Sequence, residues 1–185
     1  MKYYPFSLFF IFIVCTSVSH TVHGQDSFTF PDDCLGEYKG TLYIDYLGRG
    51  IVDSASVELT FSKTDEANKW NYSNVIDSPK YGKVEKLYTL IQKDSFPDVY
   101  VLDENNGLLI DHARIGRGLY SMFEVSGSLL SYKLECIDEE TIYYEIFSVR
   151  TAIAKESSTP EEAGQVFTVK SYLPFTTQYV TLKKQ

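Results

Sequence analysis

The feature of this sequence that most restricts its fold is an alternation of apolar and polar residues with a period of two. In residues 130–136, for example, Tyr132, Leu134 and Cys136 are separated by polar residues. Because successive side chains of a β-strand point to opposite faces of the sheet, this pattern predicts strands with one buried face. It recurs almost throughout residues 38–182, whereas helical spacing hardly appears.

Turn residues separate the alternating segments at intervals of eight to twelve residues. The strongest hairpin signal is Asn105-Asn106-Gly107, because Asn and Gly tolerate the positive φ of tight hairpin turns. Residues 154–164 are polar and predict either a loop or a single helical turn that begins at Pro160. The predicted strands, about ten, lie within residues 38–46, 57–61, 70–76, 87–92, 99–102, 108–115, 120–125, 130–136, 141–150, 166–173 and 179–182.

This order of short strands and short turns predicts an all-β domain. We expect a single antiparallel meander that closes into a barrel of about 8–10 strands, because closure removes the two exposed edges of the sheet. The competing fold is an immunoglobulin-like sandwich, which has a characteristic Cys-Trp-Cys spacing. Cys34 and Cys136 lie on either side of Trp70 but are much too far apart for that domain type.

Residues 1–24 have the features of a secretory signal peptide. Lys2 precedes an apolar run over residues 6–15, and that run is too short to span a bilayer. The sequence therefore predicts an exported protein, periplasmic or extracellular, with one domain over residues 25–185. Attachment to the outer membrane through a lipid on Cys15 is disfavoured, because Val14 stands where a lipobox has a small residue.

The charge of the predicted mature chain disfavours nucleic acid as a partner. Without Lys2, 16 basic and 25 acidic residues remain, a formal charge of −9, and the basic residues are scattered. A phosphate backbone needs a clustered basic face. No segment after residue 24 is long and apolar enough to be a transmembrane segment.

Two cysteines remain after residue 24, Cys34 and Cys136. In an exported protein such a pair favours a disulfide, which would close a loop of about a hundred residues and stabilise the fold by up to ~4 to 5 kcal/mol on the loop-entropy model. The alternative is two buried thiols, since Cys136 falls on the apolar side of its strand.

The opening segment Cys34-Leu35-Gly36-Glu37-Tyr38-Lys39-Gly40-Thr41-Leu42 resembles the first strand of calycin-superfamily barrels, in which a Gly-x-Trp-x-Gly pattern opens the barrel. Tyr38 stands here in place of the Trp. The later segments 88–91, 100–111 and 123–127 are similar to those of exported lipocalin-like proteins of the Bacteroidetes group. The resemblance implies a lipocalin-like β-barrel with a cavity, and it implies no particular ligand and no catalytic residues.

Catalytic and metal sites find little support in the sequence. His112 is the only histidine after residue 24, and its neighbour Asp111 points to the opposite face of the strand. One histidine and two cysteines are too few for a zinc site unless carboxylates join them. The strand carboxylates that a glycosidase-type pair would use, Asp111, Glu124 and Glu145, are expected on the solvated face. We therefore expect no cofactor, and favour a non-enzymatic role.

A cavity is the more specific hypothesis. His112 and Arg114 share a face of one strand, and Arg150 shares a face of another with Tyr144. A guanidinium at the end of an apolar face can hold the carboxylate of an amphipathic ligand, although we favour the alternative, in which each arginine lies in water at a strand end. The aromatic residues that would line this cavity, or simply belong to the core, are Trp70, Tyr72, Tyr120, Phe123, Tyr132 and Phe147.

The sequence thus predicts a carrier or sensor that binds a small apolar or amphipathic molecule inside a barrel. The alternative is a structural or protein-interaction module of the cell envelope whose barrel is fully packed. Nothing in the sequence identifies a protein partner. Hydrolase or isomerase chemistry inside the barrel is a third, more remote hypothesis.

Overall fold

The computed structural model describes residues 28–160 and 164–185. The predicted signal peptide, including Cys15, lies outside the described residues. Two short 3-10 helices, Asp32–Cys34 and Thr151–Ile153, accompany twelve strands. Neither is long enough to cross a membrane, and no other helix occurs in the described ranges. The strands are β1 Gly36–Tyr46, β2 Gly50–Lys63, β3 Lys69–Ser78, β4 Gly82–Lys93, β5 Phe96–Asp103, β6 Leu109–Ile115, β7 Gly118–Val125, β8 Ser128–Asp138, β9 Thr141–Arg150, β10 Lys155–Ser158, β11 Thr168–Ser171 and β12 Pro174–Lys184.

Ten of these strands close into one antiparallel barrel, in the order β1-β12-β9-β8-β7-β6-β5-β4-β3-β2. Strands β1 to β9 pair with their chain neighbours as a meander. Strand β12 closes the sheet by pairing with β9 on one side and β1 on the other, with Tyr43 opposite Tyr179. The predicted all-β meander, its closure and its strand number are confirmed.

The turn chemistry explains the hairpin between β5 and β6. Asn105 and Gly107 have φ values of 56° and 98°, and the Asn105 backbone N–H donates to the Asp103 carboxylate. Within β1, a Cβ on Gly40 would lie 2.6 Å from the carbonyl oxygen of Thr181, so only glycine allows β12 to approach this closely. This glycine belongs to the segment that resembles the calycin opening strand.

The structure corrects the prediction for residues 154–164. Strand β10 within them pairs with β11 to form a separate two-stranded sheet, the side arm, between β9 and β12. All residues of both strands are exposed. With neither face buried, a strand needs no apolar alternation, which is why the polar sequence did not reveal it.

The two ends of the barrel differ. At the end where β1 begins, which we call the closed end, residues 28–34 cover the interior. The ring of Phe30 packs edge-on against Tyr100 at 5.5 Å, and the Tyr100 hydroxyl donates to the Phe30 carbonyl oxygen at 3.1 Å. The indole N–H of Trp70 donates to the Asp32 carboxylate at 3.0 Å. The opposite end, where β1 ends at Tyr46, is called the open end.

A disulfide joins Cys34 to Cys136 on β8, with the Cα atoms 6.2 Å apart and a sequence separation of 102. Both residues are completely buried. The bond therefore holds the end of the covering segment against the barrel wall. On the side toward the closed end, the interior of the barrel is filled by apolar side chains such as Leu59, Leu90 and Leu134.

Candidate functional site

Between the packed core and the open end, the barrel encloses a chamber of about 80 Å³. Its walls combine aromatic rings and aliphatic side chains with three polar residues. The side chains that line it point inward from seven strands and the β5–β6 turn, so a rigid scaffold holds them in place. The lining residues are Tyr72, Asn74, Tyr88, Leu102, Glu104, Ile110, His112, Phe123, Tyr132, Tyr144 and Ile146.

The floor of the chamber is a cluster of tyrosines. The hydroxyl oxygens of Tyr72 and Tyr132 lie 3.4 Å apart across the barrel. The ring of Tyr72 stacks on Tyr88 at 5.3 Å, and the ring of Tyr144 meets Tyr132 edge-on at 5.4 Å. These residues bring aromatic rings and hydroxyl groups to the chamber wall.

Burial keeps these phenols neutral. It raises the pKa of Tyr88 to about 12, with a smaller contribution from the negative charge of Glu104. Burial also raises the pKa of Tyr72, Tyr132 and Tyr144 well above the usual range of tyrosine. At neutral pH each hydroxyl can therefore donate one hydrogen bond and accept others.

His112 lies in the middle of β6 and is buried. Its Nδ1 is 3.0 Å from the carbonyl oxygen of Ile110. Since a carbonyl oxygen only accepts hydrogen bonds, Nδ1 carries the proton. Burial lowers the pKa of His112, so the ring is neutral at pH 7 and Nε2 is an acceptor. The ring packs edge-on against Tyr132 at 5.0 Å.

Asn74 and Glu104 complete the polar part of the chamber. Asn74 is 6 % exposed, and its Oδ1 has no hydrogen-bond partner among the described residues. The Glu104 carboxylate accepts from Asn106 Nδ2 at 3.2 Å and from Lys86 Nζ at 3.4 Å. Its side chain is only 14 % exposed, whereas that of Lys86 is 49 % exposed.

Toward the open end lies a second cavity of about 500 Å³, the vestibule. Gln178 in its wall is the β-sheet partner of Ile146 in the chamber wall, so the two walls contain neighbouring residues. Arg49 and Lys80 line the vestibule and form no ion pair within residues 28–160 and 164–185. The vestibule is lined by Ile44, Tyr46, Arg49, Val52, Asp53, Lys80, Tyr81 and Gln178.

The two vestibule cations lie against tyrosine rings, Arg49 at 5.9 Å from Tyr46 and Lys80 at 4.8 Å from Tyr81. Asp53 is the single carboxylate in the wall. Its Oδ1 accepts from the Ser54 backbone N–H at 2.9 Å, and its Oδ2 is buried without a hydrogen-bond partner among the described residues. With two cations and one anion, the vestibule carries a net positive charge.

The structure brings four of the predicted cavity residues together at the chamber: Tyr72, Phe123, Tyr132 and His112. Trp70 is not among them, because it lies at the closed end beside Asp32.

Four other predicted positions do not reach the chamber. Tyr120 and Phe147 face outward: Tyr120 lies 6.0 Å from the ammonium of Lys133 on the outer surface, and Phe147 is exposed. Arg114 is at the closed end, bonded through Nε to Asp98 at 2.8 Å. Arg150 is an exposed residue at the open end, stacked over Phe175 at 5.1 Å.

The strand carboxylates do not form a catalytic pair. Asp111 accepts from Lys93 at 2.7 Å on the outer surface. Glu124 is exposed beside Thr151, and Glu145 lies near Thr177. None of the three lines the chamber.

Sequence reasoning missed four residues of the chamber wall, Asn74, Tyr88, Leu102 and Glu104. For Asn74 a signal was present, because it lies two residues after Tyr72 and so shares its face of the strand. A polar amide on an otherwise apolar face indicates a site that an apolar core would not need.

No protein-family model matches the sequence. No curated protein matches it either. Among solved structures, the S-type phycobiliprotein lyase CPES from Guillardia theta is similar, with a TM-score of 0.57 and 5 % identity over 83 % of this chain and 89 % of that one. Rv2717c from M. tuberculosis has a TM-score of 0.45 and 12 % identity over 83 % of this chain and 93 % of that one. The first likeness supports the lipocalin-like barrel as the fold.

Proposed function

We propose that this barrel binds a small apolar or amphipathic molecule in its interior and acts as a carrier or sensor without catalysis. The observation that carries the proposal is the chamber near the open end, whose wall neighbours that of the vestibule through the strand pair Ile146 and Gln178. Small-molecule sites are concave, largely apolar and provided with a few polar groups that fix orientation. The chamber has this composition.

The volumes determine how a ligand fits. Ligand sites usually span about 300 to 1,000 Å³, so the chamber of about 80 Å³ accommodates only the end of a ligand. The vestibule, at about 500 Å³, accommodates the remainder. We therefore expect an elongated molecule whose apolar or aromatic end enters the chamber.

The charges of the vestibule orient the ligand, because they favour an anionic group at its outer end. The guanidinium of Arg49 and the ammonium of Lys80 suit a carboxylate or another anionic group at the outer end of the ligand. This assigns to Arg49 and Lys80 the role that the sequence suggested for Arg114, whose guanidinium is already bonded to Asp98.

Export is part of the proposal, as is the likeness to exported lipocalin-like proteins of the Bacteroidetes group. A disulfide between Cys34 and Cys136 suits the oxidising periplasm or the cell exterior. Intact mass of the protein recovered from the periplasm or medium should show cleavage after Gly24. A chain retained in the cytoplasm at full length would contradict export, and a lipid on Cys15 would contradict cleavage at that position.

Native mass spectrometry of the purified mature protein tests ligand binding. We expect a bound small molecule that organic solvent removes. The variant Ile110→Trp should abolish its retention, because the larger ring fills the chamber. The matched control is Leu109→Trp at the adjacent position, which is exposed on the outside of the same strand. Ligand retained equally by both variants would place the binding site elsewhere.

One observation favours a second candidate, the interaction module. The side arm and the residues beside it expose large apolar side chains, including Phe167 and Leu173, at 66 % and 67 %. Contiguous exposed apolar residues often mark protein contacts. Recovery of ligand-free protein that also binds no amphipathic probe would favour this role over the carrier.

A further inference from the structure

We propose that the end of the ligand that enters the chamber is a hydrogen-bond donor, a ring bearing an O–H or N–H group of the phenol or indole type, received by Asn74 and His112. The inference rests on the proposed ligand-binding function and names the chemical class of the ligand's inner end.

Asn74 supplies the first part of the argument. Its Oδ1 is a strong acceptor, is buried within the barrel and has no hydrogen-bond partner in the described part of the chain. Buried polar atoms are normally paired, because leaving one unpaired is costly. An unpaired acceptor that faces a chamber therefore suits a ligand that brings a donor.

His112 supplies an independent acceptor in the same chamber. Because Nδ1 donates to the Ile110 carbonyl oxygen at 3.0 Å, the proton of the neutral ring is on that nitrogen. Nε2 then carries a lone pair and has no hydrogen bond to any residue the structure describes. The two acceptors lie on β3 and β6, on different sides of the chamber.

The other polar groups of the chamber form no hydrogen bond with these two acceptors. The hydroxyls of Tyr72 and Tyr132 contact each other, so one hydrogen is already engaged. Glu104 is a carboxylate and only accepts. None of the lining residues is a lysine or an arginine. Asn74 Oδ1 and His112 Nε2 are therefore two acceptors of the chamber wall that form no hydrogen bond with the described residues.

The donor is best carried by a ring. The rings of Tyr88, Phe123 and Tyr144 line the chamber, and aromatic rings pack favourably against one another. A site with buried polar groups rejects analogues that lack the matching group, because its own atoms are then left unpaired. The chamber should therefore discriminate ligands by a single donor.

Three probes of similar size test whether the chamber requires a hydrogen-bond donor on the ring of the ligand. 4-Hydroxyphenylacetate has a ring O–H donor and a carboxylate for the vestibule. Phenylacetate lacks the donor, and 4-methoxyphenylacetate replaces it with an acceptor. By titration calorimetry of the mature protein, we expect 4-hydroxyphenylacetate to bind on the order of tenfold more tightly than phenylacetate, as one added hydrogen bond predicts, and 4-methoxyphenylacetate to bind weakest.

A matched pair of variants locates the donor contact. Asn74→Leu replaces the acceptor by an apolar side chain of similar size and should bring the preference for 4-hydroxyphenylacetate close to onefold. Asn71→Leu on the same strand, at an exposed position, should keep the full preference. The far-ultraviolet circular dichroism of both variants verifies the fold.

A measurement on the unmodified protein keeps the test decisive if Asn74→Leu does not fold. The ¹⁵N resonance of His112 Nε2 should move on addition of 4-hydroxyphenylacetate, in the direction expected when a lone pair accepts a hydrogen bond, and should stay in place with phenylacetate.

Equal affinities, or a reversed order, would overturn the donor inference and leave ligand binding by the barrel intact. Absence of binding by all three probes would also overturn it. A different result would contradict the proposed function itself. The native mass spectrum would then show ligand-free protein, and Ile110→Trp would not change the amount of bound ligand.

Discussion

The hydroxyl oxygens of Tyr72 on β3 and Tyr132 on β8 lie 3.4 Å apart and join opposite walls of the barrel. Both side chains are buried. Leu90 and Leu134 fill the interior on the side toward the closed end, and the chamber begins on the other side. The pair therefore separates the part of the barrel that stabilises the fold from the part that we propose binds a ligand.

The energetic coupling of this pair can be measured by a double-mutant cycle. Tyr72→Phe and Tyr132→Phe should each lower the free energy of unfolding by about 1 kcal/mol, the net value of a typical hydrogen bond. The double variant should lose less than the sum of the two, because the second substitution removes a group that has already lost its partner. Urea denaturation followed by the fluorescence of Trp70 gives these values, and strict additivity would show that the hydroxyls do not interact.

The buried tyrosines predict a two-phase alkaline titration. Their folded pKa values exceed the unfolded value near 10, to about 12 for Tyr88. In the folded protein they stay protonated where the unfolded chain would ionise, so they contribute stability below pH 10 that is lost as the pH rises through the folded values. Tyrosinate absorbance should therefore rise in an early phase while the fold is intact and in a late phase in which the buried tyrosines ionise together with unfolding.

The control for that titration is Tyr88→Phe, which should remove one tyrosine from the late phase and leave the early phase unchanged. A single phase near pH 10 that includes all tyrosines, with the fold intact, would contradict the burial of the tyrosine cluster.

The fold could be predicted because period-two alternation and turn residues are local signals. To assign individual side chains to the interior, one must also know which of the two alternating faces of each strand points inward. Tyr120 and Phe123 are three residues apart on β7, so they cannot both face inward, and the structure places Phe123 inside. Phe147 likewise has opposite parity to Ile146.

Other parts of the site depend on contacts between residues that are distant in sequence. Arg49 and Lys80 come from the β1–β2 and β3–β4 turns, and Gln178 of β12 joins them in the vestibule wall only because the barrel closes. The same is true of the covering segment, where Phe30 reaches Tyr100 seventy residues later. No pattern within a strand carries that information.

We predict that the disulfide makes a large contribution to the free energy of unfolding, and that replacing either cysteine removes nearly all of it. Replacing both Cys34 and Cys136 by Ala should lower the free energy of unfolding by up to ~4 to 5 kcal/mol, because the closed loop of about a hundred residues no longer restricts the unfolded chain. Cys34→Ala alone should lose nearly as much, since the remaining cysteine has no partner for a bond. Urea denaturation compares the three proteins. A loss below about 1 kcal/mol in the double variant would show that the bond does not stabilise the fold.

His112 predicts a dependence of stability on acid pH. Burial lowers its folded pKa below the ordinary value of 6.5, and the hydrogen bond to Ile110 and the charge of Asp111 offset this only in part. As the pH falls below about 6.5 the unfolded chain binds a proton that the folded protein does not, so stability falls with a slope of at most about 1.4 kcal/mol per pH unit.

His112→Gln cannot take up that proton, and its free energy of unfolding should lack this part of the slope between neutral pH and pH 5. The carboxyl groups of Asp32 and Asp138, whose pKa values are held below 3.8, act at lower pH and leave this window clear. Parallel profiles for the two proteins in urea denaturation would mean that the imidazole is as readily protonated inside the barrel as in water.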